Sequence, residues 1–347
     1  MKSAKLECIG CKKEAEYSPD LFSCTSCGNG VETNLLVKDK ENDFVEEDYF
    51  EARKTPCYKI PELNKALGME NLFIKDETFN THGTMKDRRS KALVKIAQKH
   101  NYRELFCVTA GNLGKSLAEH CSQSNLKCIA VAPSTIPKKL AASLQKKSEL
   151  LLDEKFYEKN WDSRKVKEKF QSAMDCTGNN PASLLGYKKI AHELLHINPE
   201  YIIVPLGTGE LFCGICQGVE ENGMNAKVIG VSLAGKNPVG QCLNGKETGE
   251  LKTAKFDKNS DKISGSFTPL MPIIMHFLSK SNKFIEITKE ELDEAIYEHQ
   301  PYFDCHIESS SFSVFAALSH LKTKNKKEKI VAVLTGRNQS NKTITHK

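Results

Sequence analysis

Residues Leu105-Phe-Cys-Val-Thr109-Ala-Gly-Asn112-Leu-Gly114-Lys-Ser-Leu-Ala-Glu-His-Cys-Ser-Gln-Ser124, with Lys127-Cys-Ile-Ala-Val-Ala132 close behind, decide the fold class. The first five are a short apolar run that reads as a strand. After a glycine turn the apolar spacing lengthens to that of a helix over 114–124, and a second apolar run occupies 127–132. Strand, helix and strand in such quick succession form the repeating unit of a parallel sheet with helices on its faces. The alternation continues outward. Strands are expected over 150–152, 201–205, 227–232 and 329–335, and helices over 90–100, 137–147, 162–174, 211–222 and 310–321. Thr288-Lys-Glu-Glu291 has the spacing of a capping box opening an amphipathic helix over 290–299. No internal repeat of fixed period is present.

In such folds ligands bind at the turns leaving the carboxyl ends of the strands, and three turns carry chemically useful residues. Asn80-Thr-His-Gly-Thr-Met-Lys86-Asp-Arg88 delivers a lysine to the start of a helix, where partial desolvation disposes an amine to lose its proton and act as a nucleophile. Val108-Thr-Ala-Gly111-Asn112-Leu-Gly114 runs from a strand into a helix, so its amides and Asn112 can hold a carboxylate or phenolic oxygen. Val204-Pro-Leu-Gly207-Thr208-Gly209-Glu210-Leu211 is a glycine turn suited to a phosphate. Any one of them alone could be an ordinary turn; their order and combination carry the reading.

The amino terminus is a separate module. Cys8-Ile-Gly-Cys11 and Cys24-Thr-Ser-Cys27-Gly28 are two Cys-x-x-Cys knuckles that can place four thiolates around one tetrahedral ion, zinc by expectation, with iron in the same geometry as the alternative. Four thiolates leave no open position for water, so the ion is expected to be structural. A ribbon this short has little core of its own and would draw much of its folding energy from the metal. It could cap the main domain or dock a partner. Cys213-Gly-Ile-Cys216, in contrast, lies in an apolar stretch and reads as helix core.

Composition narrows the classes. The 347 residues suit two domains or one large α/β unit; 39% are hydrophobic and 27% charged, as in a folded soluble chain. No apolar run approaches the ~18 residues of a membrane span, and no apolar stretch comes after the first lysines as a secretory signal would require. The net charge of +6 is scattered, so nucleic acid is not the expected partner. The thirteen cysteines lie mostly singly in apolar surroundings, which suits a reducing cytoplasm.

The three turns, with Lys75-Asp-Glu77 before them and Cys305-His-Ile-Glu308-Ser-Ser310 and Val331-Ala-Val-Leu-Thr335-Gly336 after them, resemble the fold-type II pyridoxal-phosphate enzymes, most nearly the threonine synthase family. The resemblance runs over residues 75–342, and many threonine synthases also begin with a cysteine ribbon. It implies a tryptophan synthase beta-like α/β fold with two parallel-sheet domains and an added N-terminal zinc ribbon. The expected divisions are residues 1–34 for the ribbon, 35–85 with 181–347 for a large cofactor-binding domain, and 86–180 for a smaller mobile one that closes over the substrate. Lys86 would carry pyridoxal 5'-phosphate and move protons between substrate carbons. Asn112 would bond the cofactor's ring oxygen, and Gly207, Thr208 and Gly209 would cradle its phosphate. Thr335 would face the pyridine nitrogen as a neutral partner. Thr109, Ala110, Gly111 and Asn112 would clasp the substrate carboxylate, with Cys8, Cys11, Cys24 and Cys27 on structural zinc. Arg88 is assigned to a structural ion pair.

The implied activity is β- or γ-elimination or replacement on a small amino acid, O-phosphohomoserine to threonine first. An O-phosphoserine-using cysteate or cysteine synthase and a serine or threonine dehydratase are the alternatives. A catalytically inactive scaffold binding a protein or RNA partner is the alternative of a different class. A cytoplasmic homodimer is expected. The departures from the family pattern are specific. Gly178 and Ser183 stand where a serine and an arginine would hold a substrate phosphate, with Lys188, Lys139 or His82 as possible substitutes, and Glu210 stands beside the cofactor's phosphate loop.

Overall fold

The computed structural model describes residues 4–30, 32–38, 54–109, 111–154, 167–178, 180–245, 262–265, 267–321 and 327–338. The chain divides into two units, Met1–Arg53 with Lys86–Gly186 and Lys54–Met85 with Tyr187–Lys347. Its strands are β1 (Lys5–Cys8), β2 (Glu14–Glu16), β3 (Leu35–Lys38), β4 (Cys57–Tyr58), β5 (Leu72–Asp76), β6 (Glu104–Val108) and β7 (Lys127–Pro133). They continue with β8 (Glu149–Asp153), β9 (Met174–Asp175), β10 (Tyr201–Pro205), β11 (Lys227–Leu233), β12 (Lys283–Ile287) and β13 (Ile330–Leu334).

The first unit holds two sheets. β6 to β9 form a parallel sheet in the order β8-β7-β6-β9. β1 to β3 form an antiparallel ribbon in the order β2-β1-β3. The sequence reading ended the ribbon at residue 34, yet Leu35–Lys38 completes its sheet by pairing with β1 from Lys5↔Lys38 to Cys8↔Leu35. Its consecutive apolar residues Leu35, Leu36 and Val37 are all buried, adding to the apolar surface that Leu6, Cys8 and Tyr17 give the ribbon. Leu6, Cys8, Tyr17, Leu35 and Val37 share one core with Leu93, Val94, Leu117 and Met174.

The second unit is built on a six-stranded sheet in the order β12-β11-β10-β13-β5-β4. All its neighbours are parallel except the edge pair β4 and β5. β10 and β13 are wholly buried, Tyr-Ile-Ile-Val-Pro and Ile-Val-Ala-Val-Leu, the unbroken apolar runs expected of parallel strands covered on both faces. Inside this unit the Lys75 ammonium lies 2.5 Å from the Glu193 carboxylate and donates to the Thr55 carbonyl at 2.6 Å. Removing either partner would strand a charge in the core, a cost of roughly 3–5 kcal/mol.

Local chemistry sets the helix limits. The capping box forms as read: Thr288 Oγ1 accepts from the Glu291 N–H at 3.1 Å, and Glu291 Oε2 accepts from the Thr288 N–H at 2.6 Å. Two expectations are corrected. The helix read over 90–100 starts at Lys86 and ends at Lys99. Asp87 suits the helix dipole while the basic groups of the opening turn oppose it. Burial of Asp87, Arg88 and Arg89, with Arg89 bonded to Cys176 O and Thr177 O, holds that turn in place. The helix read over 310–321 is three short turns, Ser309–Phe312, Ser313–Ala316 and Ala317–His320. Its serines bond the backbone locally, Ser313 Oγ donating to Ser310 O and Ser319 Oγ to Ala316 O, in competition with a continuous helix. The helix read over 162–174 falls partly outside the described residues, and Met174 belongs to β9. None of the thirteen cysteines is in a disulfide. No helix among the described residues is long and apolar enough to cross a membrane.

Candidate active site

In the second unit, β5 runs into the loop that carries the sequence toward Lys86. Asp76 accepts from the Tyr58 hydroxyl at 2.7 Å and the Thr78 N–H at 3.0 Å. Glu77, wholly buried, accepts from Thr55 Oγ1 and from Asn80 Nδ2, both at 2.7 Å. The side chain of Asn80 is therefore spent on shaping the loop. Gly83 turns at φ +72°, and a Cβ there would lie 2.8 Å from Arg337 Nε. Beyond it the chain runs antiparallel to the end of β13: Arg337 N–H donates to Gly83 O at 2.9 Å, Thr84 bridges Gly336, and Met85 N–H donates to Thr335 O at 2.8 Å. The residue before Lys86 is thus hydrogen-bonded to Thr335. Thr335 is itself buried, its Oγ1 2.8 Å from Ser311 Oγ and its N–H donating to the same oxygen at 3.1 Å.

The glycine turn after β10 lies in the same unit. Asn237 Nδ2 donates to Leu206 O and Gly207 O at 3.1 and 3.2 Å, and Thr268 Oγ1 donates to Thr208 O at 2.6 Å. The carbonyls of the loop are satisfied, whereas its N–H groups at Gly207, Thr208 and Gly209 have no acceptor among the described residues. Gly207 has no room for a side chain, since a Cβ would sit 2.1 Å from Lys262 O, and Gly209 turns at φ +89° to start the helix Glu210–Glu221. Unspent amides at a helix N-terminus fit a phosphate group. Glu210 is the first residue of that helix and is buried. Its charge acts one turn along on Cys213, whose thiol is pushed well above its ordinary range by burial first and by Glu210 second. Cys213 and Cys216 are core residues of this helix, as read.

In the first unit Lys86 opens its helix half-buried. Asp87 accepts from Ser116 Oγ at 2.6 Å, with His120 Nε2 at 3.8 Å. Arg88 is buried, and its carbonyl leaves no space for a Cβ on Gly186. Arg89, one turn after Lys86, is wholly buried and donates to Cys176 O and Thr177 O at 3.0 and 3.1 Å. The turn after β6 is pinned by Thr109 Oγ1, which accepts from the N–H groups of Gly111 and Gly114 at 3.1 and 2.9 Å. Gly114 must be glycine, because a Cβ would meet Thr109 Cγ2 at 2.5 Å. Asn112 is the first residue of the next helix. Ala110 lies outside the described residues.

Ser183, at the position read for a phosphate-binding arginine, is wholly buried, and its Oγ has no hydrogen-bond partner among the described residues. Gly178 is half-buried. Of the substitutes considered, Lys188 is paired with Glu221 at 2.6 Å and Lys139 is exposed. Asp175 accepts from Thr177 N–H and Oγ1 at 2.8 and 2.6 Å, and burial pushes its carboxyl up to about 6 against those bonds. Arg89, Ser311 and Asn237 were missed in the sequence. Only Arg89 left a signal there, one helical turn beyond Lys86 on the same face.

The four ribbon cysteines converge, their sulfurs all within 4.8 Å of one another. Cys8 Sγ lies 3.4 Å from Cys27 Sγ, and Cys11 Sγ 3.6 Å from Cys24 Sγ. A tetrahedron with metal–sulfur bonds of about 2.3 Å has edges of about 3.8 Å, so the sulfurs fit an ion with little movement. Ser26 N–H donates to Cys24 Sγ at 3.4 Å, and that bond first, with one from the Cys27 backbone, draws the Cys24 thiol down to about 6. Gly28 is required beside them, since a Cβ would meet Cys24 O at 2.5 Å.

Two parallel-sheet units with a lysine at a helix start and an amide cradle of this kind define a class. Residues 50–336 match the family model described as pyridoxal-phosphate dependent enzyme, and the chain belongs to that family. It is 24% identical over 376 residues to threonine synthase of Methanocaldococcus jannaschii, covering 95% of this chain and 91% of that one. It is 22% identical over 299 residues to the catabolic L-threonine dehydratase of Staphylococcus aureus, covering 82% and 84%. Among solved structures it superposes on the processed form of threonine deaminase isoform 2 from Solanum lycopersicum with a TM-score of 0.71 at 17% identity, covering 88% of this chain and 92% of that one.

Proposed function

We propose that the protein binds pyridoxal phosphate on Lys86 and catalyses elimination or replacement at the β or γ carbon of a small amino acid. The observation that carries this reading is the turn after β10, whose carbonyls are held by Asn237 and Thr268 and whose three glycine-turn amides are left for an anion. Gly207, Thr208 and Gly209 hold the cofactor's phosphate. When bound, the cofactor supplies an electron sink for the substrate's α-carbon. Lys86 Nζ would then take the α-proton and move protons between substrate carbons, and Asn112 would bond the ring oxygen. The turn from Thr109 to Asn112, Ala110 included, clasps the substrate carboxylate. Ser311 Oγ, which accepts the Thr335 N–H, donates its own proton to Thr335 Oγ1. The Thr335 hydroxyl is thereby left to donate to the pyridine nitrogen, a neutral partner that suits elimination and replacement. Cys8, Cys11, Cys24 and Cys27 hold structural zinc.

Conversion of O-phosphohomoserine to threonine is the first reading, supported by the likeness to a threonine synthase along nearly the whole chain. The burial of Ser183 and the pairing of Lys188 with Glu221 favour a second, dehydration of serine or threonine, in which no substrate phosphate has to be held. Titration of the reconstituted protein with O-phosphohomoserine, O-phosphoserine, O-acetylserine, serine and threonine, monitored by near-visible absorbance, separates them. A band that shifts with O-phosphohomoserine supports the first reading, and one that shifts with serine or threonine alone supports the second. No cofactor band after reconstitution would refute both and leave a binding scaffold.

A further inference from the structure

The ribbon is built into the segment just after β9. Cys8 and Cys24 lie in the same apolar cluster as Met174, Cys176, Ala182 and Leu185, and β3 packs on the turn Pro181–Leu184. Between the two knuckles the chain reaches the same place with polar groups. Pro19 O accepts from Asn180 Nδ2 at 3.4 Å. Asp20 Oδ2 accepts from the Tyr102 hydroxyl at 2.8 Å, and Asp20 Oδ1 pairs with Lys167 Nζ at 3.0 Å. Lys167 in turn donates to Ala173 O at 2.6 Å. Asn180, wholly buried, also donates to Asp175 O at 3.0 Å and accepts from Ala182 N–H at 3.0 Å.

Cys176 and Thr177 are thus flanked by two anchors. On one side stands the ribbon, acting through Asn180 and the shared core. On the other stands Arg89, whose helix begins with Lys86 and whose guanidinium holds both carbonyls. These residues leave the carboxyl end of β9, which is parallel to and paired with β6, so they sit at the sheet edge where the turn Thr109–Asn112 also begins. That edge is where parallel sheets bind ligands.

We propose that the four-cysteine centre positions Cys176, Thr177 and Asn180 at the ligand edge of this unit, so that metal loading sets the affinity for substrate. The inference rests on the substrate site of the proposed function. The metal fixes the two knuckles and with them the segment Tyr17–Asp20 between; without it a small ribbon loses the frame that orders it. Asn180 is a positioning residue rather than a catalytic one. The Asp20–Lys167 pair, partly exposed, contributes little by itself. The buried Asn180 bonds and the common apolar surface carry the coupling.

The test compares zinc-loaded holoenzyme with the same protein stripped by a chelator under reducing conditions. Amide exchange is read over residues 172–185, and substrate affinity from the shift of the cofactor band. Metal removal is expected to speed exchange in that peptide by about tenfold or more while β10 and β13 stay protected, and to weaken substrate binding by about tenfold with the cofactor retained, the loss of one to two buried hydrogen bonds. Asn180→Ala in the zinc-loaded protein is expected to weaken substrate binding about fivefold. Glu14→Ala, which removes the exposed Lys5–Glu14 pair of the ribbon, is expected to change nothing. Unchanged exchange over 172–185 would overturn the coupling, and changed exchange with unchanged substrate affinity would overturn its link to substrate. Should the stripped protein unfold throughout, Asn180→Ala decides: unchanged affinity refutes the inference. Absence of a cofactor band would refute the proposed function, while the exchange result would still decide whether the ribbon orders this segment.

Discussion

The glycine turns after β10 and after β6 leave their strands alike and are held in opposite ways. After β10, side chains from elsewhere in the unit donate to the loop carbonyls, and the amides of Gly207 to Gly209 are left over. After β6, a side chain of the loop itself, Thr109, accepts from the amides of Gly111 and Gly114. The turn after β9 has the second pattern, with Asp175 accepting from Thr177 N–H and Oγ1. A turn whose carbonyls are held from outside offers its run of amides to an anion. One that spends the Gly111 and Gly114 amides on its own side chain fixes the start of the next element, here Asn112 at the head of its helix, against which a substrate carboxylate would then be oriented. The difference teaches that a glycine-rich turn is read by where its donors go, not by its glycines.

The comparison can be broken first at Gly207. Gly207→Ala drives a methyl group into Lys262 O and is expected to weaken cofactor binding on the order of 100-fold, with a loss of stability of about 1–3 kcal/mol. Equilibrium dialysis of pyridoxal phosphate and denaturant unfolding check the two effects. Thr109→Val removes the acceptor of the second pattern without changing shape. It is expected to raise KM about tenfold, for one to two unsatisfied amides, and to weaken cofactor affinity far less, because the phosphate turn is untouched; equal losses of both would erase the distinction between the turns.

Asp175 gives a smaller effect with a definite sign. Its folded pKa of about 6 lies above the ordinary carboxylate value, so the folded state binds the proton more tightly than the unfolded one. The contribution is fully present below about pH 4 and is lost as pH rises through about 6. Asp175→Asn keeps an acceptor for Thr177 and removes this loss. It is expected to raise stability on the order of 1–2 kcal/mol at pH 7.5 and by less at pH 5, as checked by denaturant unfolding at the two pH values. A gain that grows toward acid would contradict the assignment.

Much of this was legible before any coordinates. Tyr201–Pro205 stands where its apolar run put it, and Thr288 caps its helix as its spacing required. Cys8, Cys11, Cys24 and Cys27 converge as their two knuckles implied. The groups that finish the turns were not legible. Ser311 meets Thr335 across 24 residues, and Asn237 meets Gly207 across 30; no local pattern marks a side chain whose partner is so distant in the chain. Leu35–Lys38 was assigned to the wrong module because an apolar run shows that a strand is buried, not which sheet buries it. The break in the helix read over 310–321 came from serine hydroxyls, which are weak helix residues only when they find backbone to bond.

The central claim is that Lys86 is the residue on which the cofactor is held. Reduction of the reconstituted protein with borohydride, then peptide mass spectrometry, tests it directly. The account predicts one reduced cofactor adduct per chain, on the peptide containing Lys86, and no covalent adduct in Lys86→Ala. An adduct confined to another lysine, or none in a protein that retains its fold, would contradict it.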